Sequence, residues 1–248
     1  MTGVVIITGG SRGIGAATAE LLAGQGWSPC VSYRDRADAA EEVVARCQAI
    51  GAKASAMRAD VSVEDDVLRL FRAAEDELGP VRALVNNAGI VAPRSRVADF
   101  TAERLDRMFG VNVLGPLLCA REAVRRLSTA SGGPGGSIVN VSSRASELGG
   151  SGEYVDYAAS KAAVDTFTVG LAKEVAQEGI RVNAVRPGLI DTEIHASGGQ
   201  PDRIERVKAV VPMGRAGQPL EIAEAIAWLL SDRASYVTGA LLDVGGGR

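Results

Sequence analysis

The chain has 248 residues, of which 46% are hydrophobic and 23% charged, and its formal net charge is −3. This composition excludes a disordered or fibrous protein, and the mild acidity argues against a nucleic-acid binder, whose affinity depends on a basic surface. No apolar run approaches a membrane span and the N-terminal residues lack a signal-peptide pattern, so we expect a cytoplasmic protein with no membrane partner. Three scattered cysteines and one histidine predict neither a disulfide framework nor a metal site.

Short β-branched runs alternate with longer helical patterns along the chain. Strands are predicted at Val4–Thr8, Pro29–Tyr33, Lys53–Ala59, Val81–Asn86, Ser137–Ser142, Ile180–Arg186 and Ala240–Val244. Helices are predicted at Gly13–Ala23, Ala37–Ala49, Val63–Leu78, Ala102–Phe109, Val111–Leu127, Tyr154–Glu178 and Glu221–Leu230. The alternation favours an α/β fold with a doubly wound, mostly parallel Rossmann-type sheet, helices on both faces and a single domain over residues 1–248. A TIM barrel is the alternative at this length.

A glycine-rich turn follows the first predicted strand and argues against the barrel. It reads Thr8-Gly9-Gly10-Ser11-Arg12-Gly13-Ile14-Gly15, which departs from the strict G-x-G-x-x-G spacing. Glycines let a phosphate approach the backbone, and the N-terminus of the next helix offers free N–H groups and a positive dipole to a pyrophosphate. The turn therefore predicts a dinucleotide site, with a tight packing turn as the alternative.

The end of the second predicted strand bears on the choice of cofactor. In NAD binders an acidic residue about 20 positions after the glycine turn takes the ribose hydroxyls, whereas a basic residue suits a 2′-phosphate. Arg34 follows Tyr33 at this point, and Arg12 lies within the glycine turn. Two guanidinium groups that converge on one phosphate predict NADP(H). The alternative makes Arg34 a solvated charge and lets Asp35 serve NAD(H).

Tyr157 and Lys161 lie four residues apart in the long predicted helix, and so share one face. A phenol with a pKa near 10 is a poor acid–base catalyst at pH 7, and a neighbouring ammonium lowers that pKa by stabilising the phenolate. Ser143 ends a predicted strand at the sheet edge where doubly wound folds bind ligands, and its hydroxyl suits a substrate oxygen. The combination of Tyr157, Lys161 and Ser143 with the glycine turn predicts proton transfer beside a bound dinucleotide.

Together these motifs resemble the short-chain dehydrogenase/reductase family, in its short single-domain branch, along essentially the whole chain. The matching residues are Gly9, Gly13, Gly15, Asp60-Val61, Asn86-Asn87-Ala88-Gly89, Asn112, Ser143, Tyr157, Lys161, Pro187-Gly188 with Thr192, and Asp243-Val244-Gly245-Gly246. The resemblance implies interconversion of carbonyl and alcohol with NAD(P)(H). Within the family, the chain resembles sugar dehydrogenase-like members and 3-oxoacyl-carrier-protein reductase-like members to a similar degree.

The resemblance also implies residue roles. Tyr157 is expected to be the general acid in reduction and the general base in oxidation, Lys161 to lower its pKa and hold the nicotinamide ribose, and Ser143 to polarise the substrate oxygen. Asn112 is expected to hold a water that links Lys161 to solvent. The whole predicted cofactor site comprises Gly9, Ser11, Arg12, Gly13, Ile14, Gly15, Tyr33, Arg34, Asp60, Val61, Asn87, Ala88, Gly89, Tyr157, Lys161, Pro187, Gly188, Ile190 and Thr192.

One departure from the family pattern concerns the serine. Ser143 precedes Tyr157 by 14 residues, where many relatives have 13, which indicates an insertion within residues 147–153 and leaves Ser142 as a lesser candidate. Tyr154 has alanine four residues on, so it is interpreted as a pocket wall or as helix packing.

The resemblance further implies a substrate lid at about residues 190–214. His195 within it is expected to be a solvent-exposed loop residue, with contact to substrate as the alternative. Relatives pair the helices predicted at Val111–Leu127 and Tyr154–Glu178 between subunits, so a homotetramer is expected, with a dimer next.

We therefore expect an NADP(H)-dependent oxidoreductase acting on a ketone, aldehyde or alcohol, with a sugar or a 3-oxoacyl compound as candidate substrate. The alternatives are an NAD-dependent dehydrogenase of the same family, a non-catalytic NADP(H)-binding sensor, and an epimerase or dehydratase that retains NAD. The presence of Asn112, Ser143, Tyr157 and Lys161 argues against a sensor. The short stretch after Pro187 leaves little room for the substrate domain of an epimerase.

Overall fold

Seven parallel strands form one sheet in the computed structural model, which describes residues 2–248. The strands are β1 (Val4–Ile7), β2 (Ser28–Tyr33), β3 (Ser55–Arg58), β4 (Val81–Asn86), β5 (Gly136–Val141), β6 (Ile180–Pro187) and β7 (Leu241–Val244). Their order across the sheet is β3-β2-β1-β4-β5-β6-β7, and every neighbouring pair is parallel. This order confirms the predicted doubly wound fold.

Ten α-helices cover the sheet among the described residues. They are α1 (Gly13–Gly24), α2 (Ala37–Ala49), α3 (Glu64–Leu78), α4 (Ala102–Phe109), α5 (Gly115–Leu127), α6 (Ala145–Leu148), α7 (Val155–Val175), α8 (Ile194–Ser197), α9 (Arg203–Val207) and α10 (Pro219–Leu230). Within residues 2–248, no helix is both long enough and apolar enough to cross a bilayer.

Alternate residues of the central strand β1 enter two separate cores. Val5 and Ile7 pack in the cluster that holds α1, α2 and α10, whereas Val4 and Ile6 pack in the cluster that holds α3, α5 and α7. Side chains alternate across a strand, and a sheet with helices on both faces therefore needs apolar residues at every position of its central strands. This explains why the strand reads Val-Val-Ile-Ile without polar interruptions.

Two helices differ from the sequence-based prediction by more than two residues at one end. The helix predicted from Val111 begins at Gly115, because a five-residue π-helical turn, Gly110–Leu114, joins α4 to α5. The long helix begins at Val155 and ends at Val175, where a short 3₁₀ turn continues to Glu178. The π turn contains Asn112, and such turns are frequent at functional sites.

The topology fixes where a ligand binds. β1 lies between β2 and β4, so the chain crosses in opposite directions on either side of it. The loops after β1 and β4 therefore diverge and leave a crevice at the carboxyl edge of the sheet. The residues that follow β5 and β6 reach the same edge.

Candidate active site

The glycine turn after β1 is held against the loop after β4. The Asn87 side chain donates to the carbonyl oxygens of Thr8 and Gly9, each at 2.9 Å. A Cβ on Gly9 would lie 2.9 Å from Ala88 Cα, and the Gly9 φ of +62° also favours glycine. A Cβ on Gly15 would lie 2.6 Å from the Gly9 oxygen. The backbone is thus exposed at the turn because no side chain fits there.

The turn ends at an uncapped helix N-terminus. Arg12 precedes α1, no side chain caps the helix, and its first turn carries no acidic residue. The N–H groups at this end are therefore available to an anion, as the sequence predicts.

A groove of about 260 Å³ runs from this turn past the end of β2. Residues of the predicted cofactor site that line it are Gly9, Ser11, Arg12, Gly13, Ile14, Tyr33, Arg34, Asp60, Val61, Asn87, Ala88, Gly89 and Thr192. Gly15 packs beneath the turn. The exposed backbone, the uncapped helix and the arginines fit a phosphate-bearing dinucleotide.

Three arginines line the groove, and each is paired with a carboxylate. Arg34 Nε donates to Asp35 at 2.7 Å, and Arg36 Nε donates to Asp38 at 3.2 Å. The third, Arg12, pairs with Glu193, which lies in the segment 190–214 that the sequence predicts to be a substrate lid and that we call the lid segment, or lid. Sequence reasoning identified Arg12 and Arg34 but missed Arg36, although all three lie close to the glycine turn or the end of β2.

A second cavity, of about 470 Å³, continues from the groove to the ends of β5 and β6. It is lined by the predicted residues Ser143, Tyr157, Lys161, Pro187, Gly188, Ile190 and Thr192, and it shares Ile14, Asn87 and Gly89 with the groove. One continuous depression therefore contains most of the predicted cofactor site and three of the four predicted catalytic residues.

The two candidate serines face different partners. The Ser142 hydroxyl is buried and donates to the Lys161 carbonyl oxygen at 3.1 Å. The Ser143 hydroxyl faces the cavity, accepts from the Ala145 N–H at 3.1 Å and forms a hydrogen bond with Tyr157. The hydroxyl available to a substrate is therefore that of Ser143.

The acid–base properties of Tyr157 differ from the sequence argument. Burial raises the pKa of Tyr157 to about 12, and the Ser143 hydrogen bond opposes that shift. The Lys161 amine lies 5.8 Å from the Tyr157 ring centroid and donates to the Val141 carbonyl oxygen at 2.8 Å. Lys161 therefore does not produce a lowered phenol pKa in this arrangement, because desolvation dominates.

Lys161 is itself perturbed. Its side chain is 5% exposed, and burial lowers the pKa of Lys161 to about 8, with the Asp165 carboxylate opposing the shift. An amine with this pKa exchanges its proton near neutral pH, which suits a proton relay.

Asn112 is fully buried behind the cavity. Its amide nitrogen donates to the Ile90 oxygen at 2.9 Å and to Ser160 Oγ at 3.1 Å, and its Oδ1 accepts from the Ile90 N–H at 2.8 Å. Oδ1 and the Lys161 amine lie on the same side of Gly89, 3.5 and 3.4 Å from where a Cβ on that glycine would sit. Asn112 thus fixes the loop after β4 beside Lys161.

The lid contributes residues that sequence reasoning missed. Arg203 on α9 is 7% exposed; it donates to Glu153 Oε2 at 2.6 Å and to the Tyr154 hydroxyl, and its guanidinium lies over the Tyr154 ring at 4.8 Å. Arg94 donates to the other Glu153 oxygen at 2.6 Å. The stretch 147–153, which the sequence predicts to carry an insertion, was the available signal, since it supplies Glu153.

His195 is not the fully exposed loop residue that the sequence favoured, and its position is compatible with the alternative of contact to substrate. It is partly buried, lines the cavity, and its Nε2 lies 2.8 Å from the Ile190 carbonyl oxygen. Burial lowers the pKa of His195 below its ordinary value. The residue therefore holds the start of the lid rather than extending into solvent.

Known proteins resemble the chain along its whole length. A short-chain dehydrogenase/reductase family model, described as enoyl-(acyl carrier protein) reductase, matches residues 9–248. The uncharacterized oxidoreductase YgfF of Escherichia coli K12 is 55% identical, with 99% of each chain covered. The cis-4-hydroxycyclohexanecarboxylate dehydrogenase of Sinomonas cyclohexanicum is 40% identical, covering 98% of this chain and 95% of that one.

One solved structure resembles the chain in both fold and sequence. The blue fluorescent protein from a metagenomic library, crystallised in complex with NADPH, is 36% identical. It superposes with a TM-score of 0.89 and covers 99% of this chain and 97% of its own.

Proposed function

Because the chain belongs to the short-chain dehydrogenase/reductase family and is an oxidoreductase that acts on alcohol groups, we propose that it interconverts a ketone or aldehyde with its alcohol using NADP(H). One observation carries this proposal: the Ser143 and Tyr157 hydroxyls meet in a cavity next to the Lys161 amine. Two hydroxyls that converge on one point suit a single substrate oxygen.

Each of these residues has a distinct task in the proposed reaction. The bound cofactor supplies or accepts the hydride. Tyr157 gives a proton to the substrate oxygen in reduction and removes it in oxidation, and Ser143 donates a hydrogen bond to the same oxygen. Lys161 holds the ribose hydroxyls and, with its pKa lowered to about 8, takes part in the proton relay behind Tyr157. Asn112 keeps the loop after β4 in place and provides a water site between Lys161 and solvent.

The cavity walls favour a weakly polar substrate over a sugar. Apolar side chains of Val91, Leu148, Leu189, Ile194 and Val207 line it. Three charged residues of the lining, Arg144, Glu153 and Arg203, each pair with a side chain of opposite charge. We therefore propose a ring ketone or a 3-oxoacyl compound, and the name of the 40% identical relative, a dehydrogenase of a hydroxycyclohexane compound, agrees with the former.

The arginines of the groove support NADP(H) rather than NAD(H). A 2′-phosphate takes charge-assisted hydrogen bonds from guanidinium groups, and Arg12, Arg34 and Arg36 all line the groove. The structural relative crystallised with NADPH agrees with this preference. We expect Arg34→Asp to shift the ratio of kcat/KM for NADPH over NADH toward NADH by about tenfold or more, since it replaces attraction by repulsion at the phosphate.

A panel of substrates tests the reaction class. Oxidation of NADPH and NADH is followed with cyclic ketones, 3-oxoacyl thioesters, aldose sugars and an enoyl thioester. We expect turnover with NADPH and a ketone. Turnover with the enoyl thioester alone would contradict carbonyl reduction and would instead indicate enoyl reduction, the activity in the description of the family model. A cofactor ratio that is unchanged in Arg34→Asp would show that Arg34 does not bind the phosphate.

We also propose a cytoplasmic homotetramer. Phe109 at the end of α4 and Leu114 before α5 are exposed apolar side chains near the helices that relatives pair between subunits. A light-scattering mass of a single 25.6 kDa chain would contradict the assembly.

A further inference from the structure

Two residues at the start of the lid form hydrogen bonds with Arg12, one of the three arginines that line the cofactor groove. Arg12 Nη1 donates to Glu193 Oε2 at 2.8 Å, and Nη2 donates to Ser197 Oγ at 3.3 Å. Glu193 lies immediately before α8 and Ser197 ends that helix. A carboxylate and a hydroxyl from the lid thus occupy two donors of one guanidinium.

Glu193 lies within the groove rather than beside it. It lines the groove together with Arg34 and Arg36. Asp38 raises the pKa of Arg36, and Glu193 adds a smaller effect of the same sign, so its negative charge acts across this end of the groove. The neighbouring residue Thr192 lies against the glycine turn, with its Cγ2 3.3 Å from where a Cβ on Gly13 would be.

We propose that Glu193 is a residue that determines cofactor specificity: its carboxylate competes with the 2′-phosphate of NADP(H) for Arg12, and α8 moves away when the phosphate binds. This inference rests on the proposed preference for NADP(H). A dianionic phosphate and a carboxylate repel each other at one guanidinium, and the more highly charged phosphate forms the stronger hydrogen bonds. NAD(H) carries no such group, so the contact between Glu193 and Arg12 persists with it.

The solvent exposure of Arg12 and Glu193 determines how much the loss of the Glu193 charge is expected to change phosphate affinity. The Arg12 and Glu193 side chains are 45% and 63% exposed, so solvent screens the pair. Exposed ion pairs are weak, and removing the charge is expected to tighten phosphate binding by about two- to fivefold.

Calorimetric titration of the full chain with adenosine 2′,5′-bisphosphate and with 5′-AMP tests the proposal. In Glu193→Gln we expect the Kd of the bisphosphate to fall by about two- to fivefold while that of 5′-AMP stays unchanged. Glu205→Gln is the matched control, since this lid carboxylate pairs with Lys208 at 2.5 Å and does not line the groove. We expect its two Kd values to equal those of the wild type.

Amide hydrogen exchange tests the movement of α8 without any turnover. The N–H groups of Ser197, Gly198 and Gln200 donate to the oxygens of Glu193, Ile194 and His195. These hydrogen bonds lie within α8 and the turn after it, and a four-residue helix is marginal without its side-chain contacts to Arg12. We therefore expect α8 to loosen as it moves away, so that the bisphosphate speeds exchange at these amides and 5′-AMP leaves it unchanged. Identical exchange with both probes would overturn the movement of α8.

The two proposals fail in distinguishable ways. If the wild type binds 5′-AMP as tightly as the bisphosphate, the preference for NADP(H) is wrong and the inference falls with it. If the wild type prefers the bisphosphate but Glu193→Gln leaves the ratio of the two Kd values unchanged, the cofactor preference stands and the role of Glu193 is overturned.

Discussion

Adjacent serines at the end of β5 have opposite surroundings, and this difference can be measured. Ser142 is enclosed and bonded to the backbone of α7, whereas Ser143 faces the cavity and Tyr157. We expect Ser143→Ala to lower turnover by about 10²-fold, the cost of removing one donor to the reacting oxygen. Ser142→Ala serves as its neighbour control and is expected to retain most of the activity. The reverse ranking would assign the role to Ser142.

The buried amine of Lys161 makes stability depend on pH. Because burial lowers the pKa of Lys161 from 10.5 to about 8, the unfolded chain binds more protons there between these values. The stability contributed at this residue therefore rises as pH increases through that window. Relative to Lys161→Met, we expect the wild type to gain on the order of 1–3 kcal/mol in free energy of unfolding between pH 7 and pH 10.

Urea denaturation of both proteins at the two pH values provides this measurement. The buried thiols Cys30, Cys47 and Cys119, whose pKa values burial raises, are common to both proteins and cancel in the comparison. An equal difference between the proteins at both pH values would show that Lys161 keeps an ordinary pKa.

At the scale of elements, one carboxylate joins the lid to the rest of the site. Glu153 connects Arg203 on α9 with Arg94 after β4, and it is 20% exposed at the side chain. Glu153→Gln leaves the Arg203 charge buried without its ion-pair partner, which is costly. We expect faster tryptic cleavage at residues 203–208 and a KM for substrate raised by about tenfold, with kcat changed less.

The matched control for this variant is again Glu205→Gln, because Glu205 contacts only its own lid segment through Lys208. Unchanged cleavage and KM in Glu153→Gln would show that α9 is held by its packing alone.

Elements with strong periodicity were predictable, and their junctions were not. Apolar runs located all seven strands to within about two residues because a covered parallel sheet requires them. The π turn around Asn112 was not predicted, since it has the same apolar spacing as the helix that it joins. The start of α7 moved from Tyr154 to Val155 because helix ends depend on local contacts.

Across the whole molecule, the sequence indicates which residues lie at the site but not the long-range contacts and burial that determine their positions and pKa values. The glycine turn, Ser143, Tyr157 and Lys161 line two adjoining cavities, because parallel strands place their carboxyl ends at one edge. The contact between Arg12 and Glu193 joins residues 181 positions apart, and no local sequence pattern predicts it. The raised pKa of Tyr157 likewise depends on desolvation, which spacing alone does not reveal.

The central claim is that the phenol of Tyr157 carries the proton, and turnover of Tyr157→Phe tests it most directly. With saturating NADPH and the best ketone of the panel, we predict a loss of about 10²-fold or more in kcat, with a Kd for NADPH within about twofold of the wild type. Tyr154→Phe is the control, because Tyr154 lies one turn earlier with its ring centroid 5.7 Å from that of Tyr157, and it is predicted to keep most of its turnover. A Tyr157→Phe enzyme that turns over at nearly the wild-type rate would contradict the account.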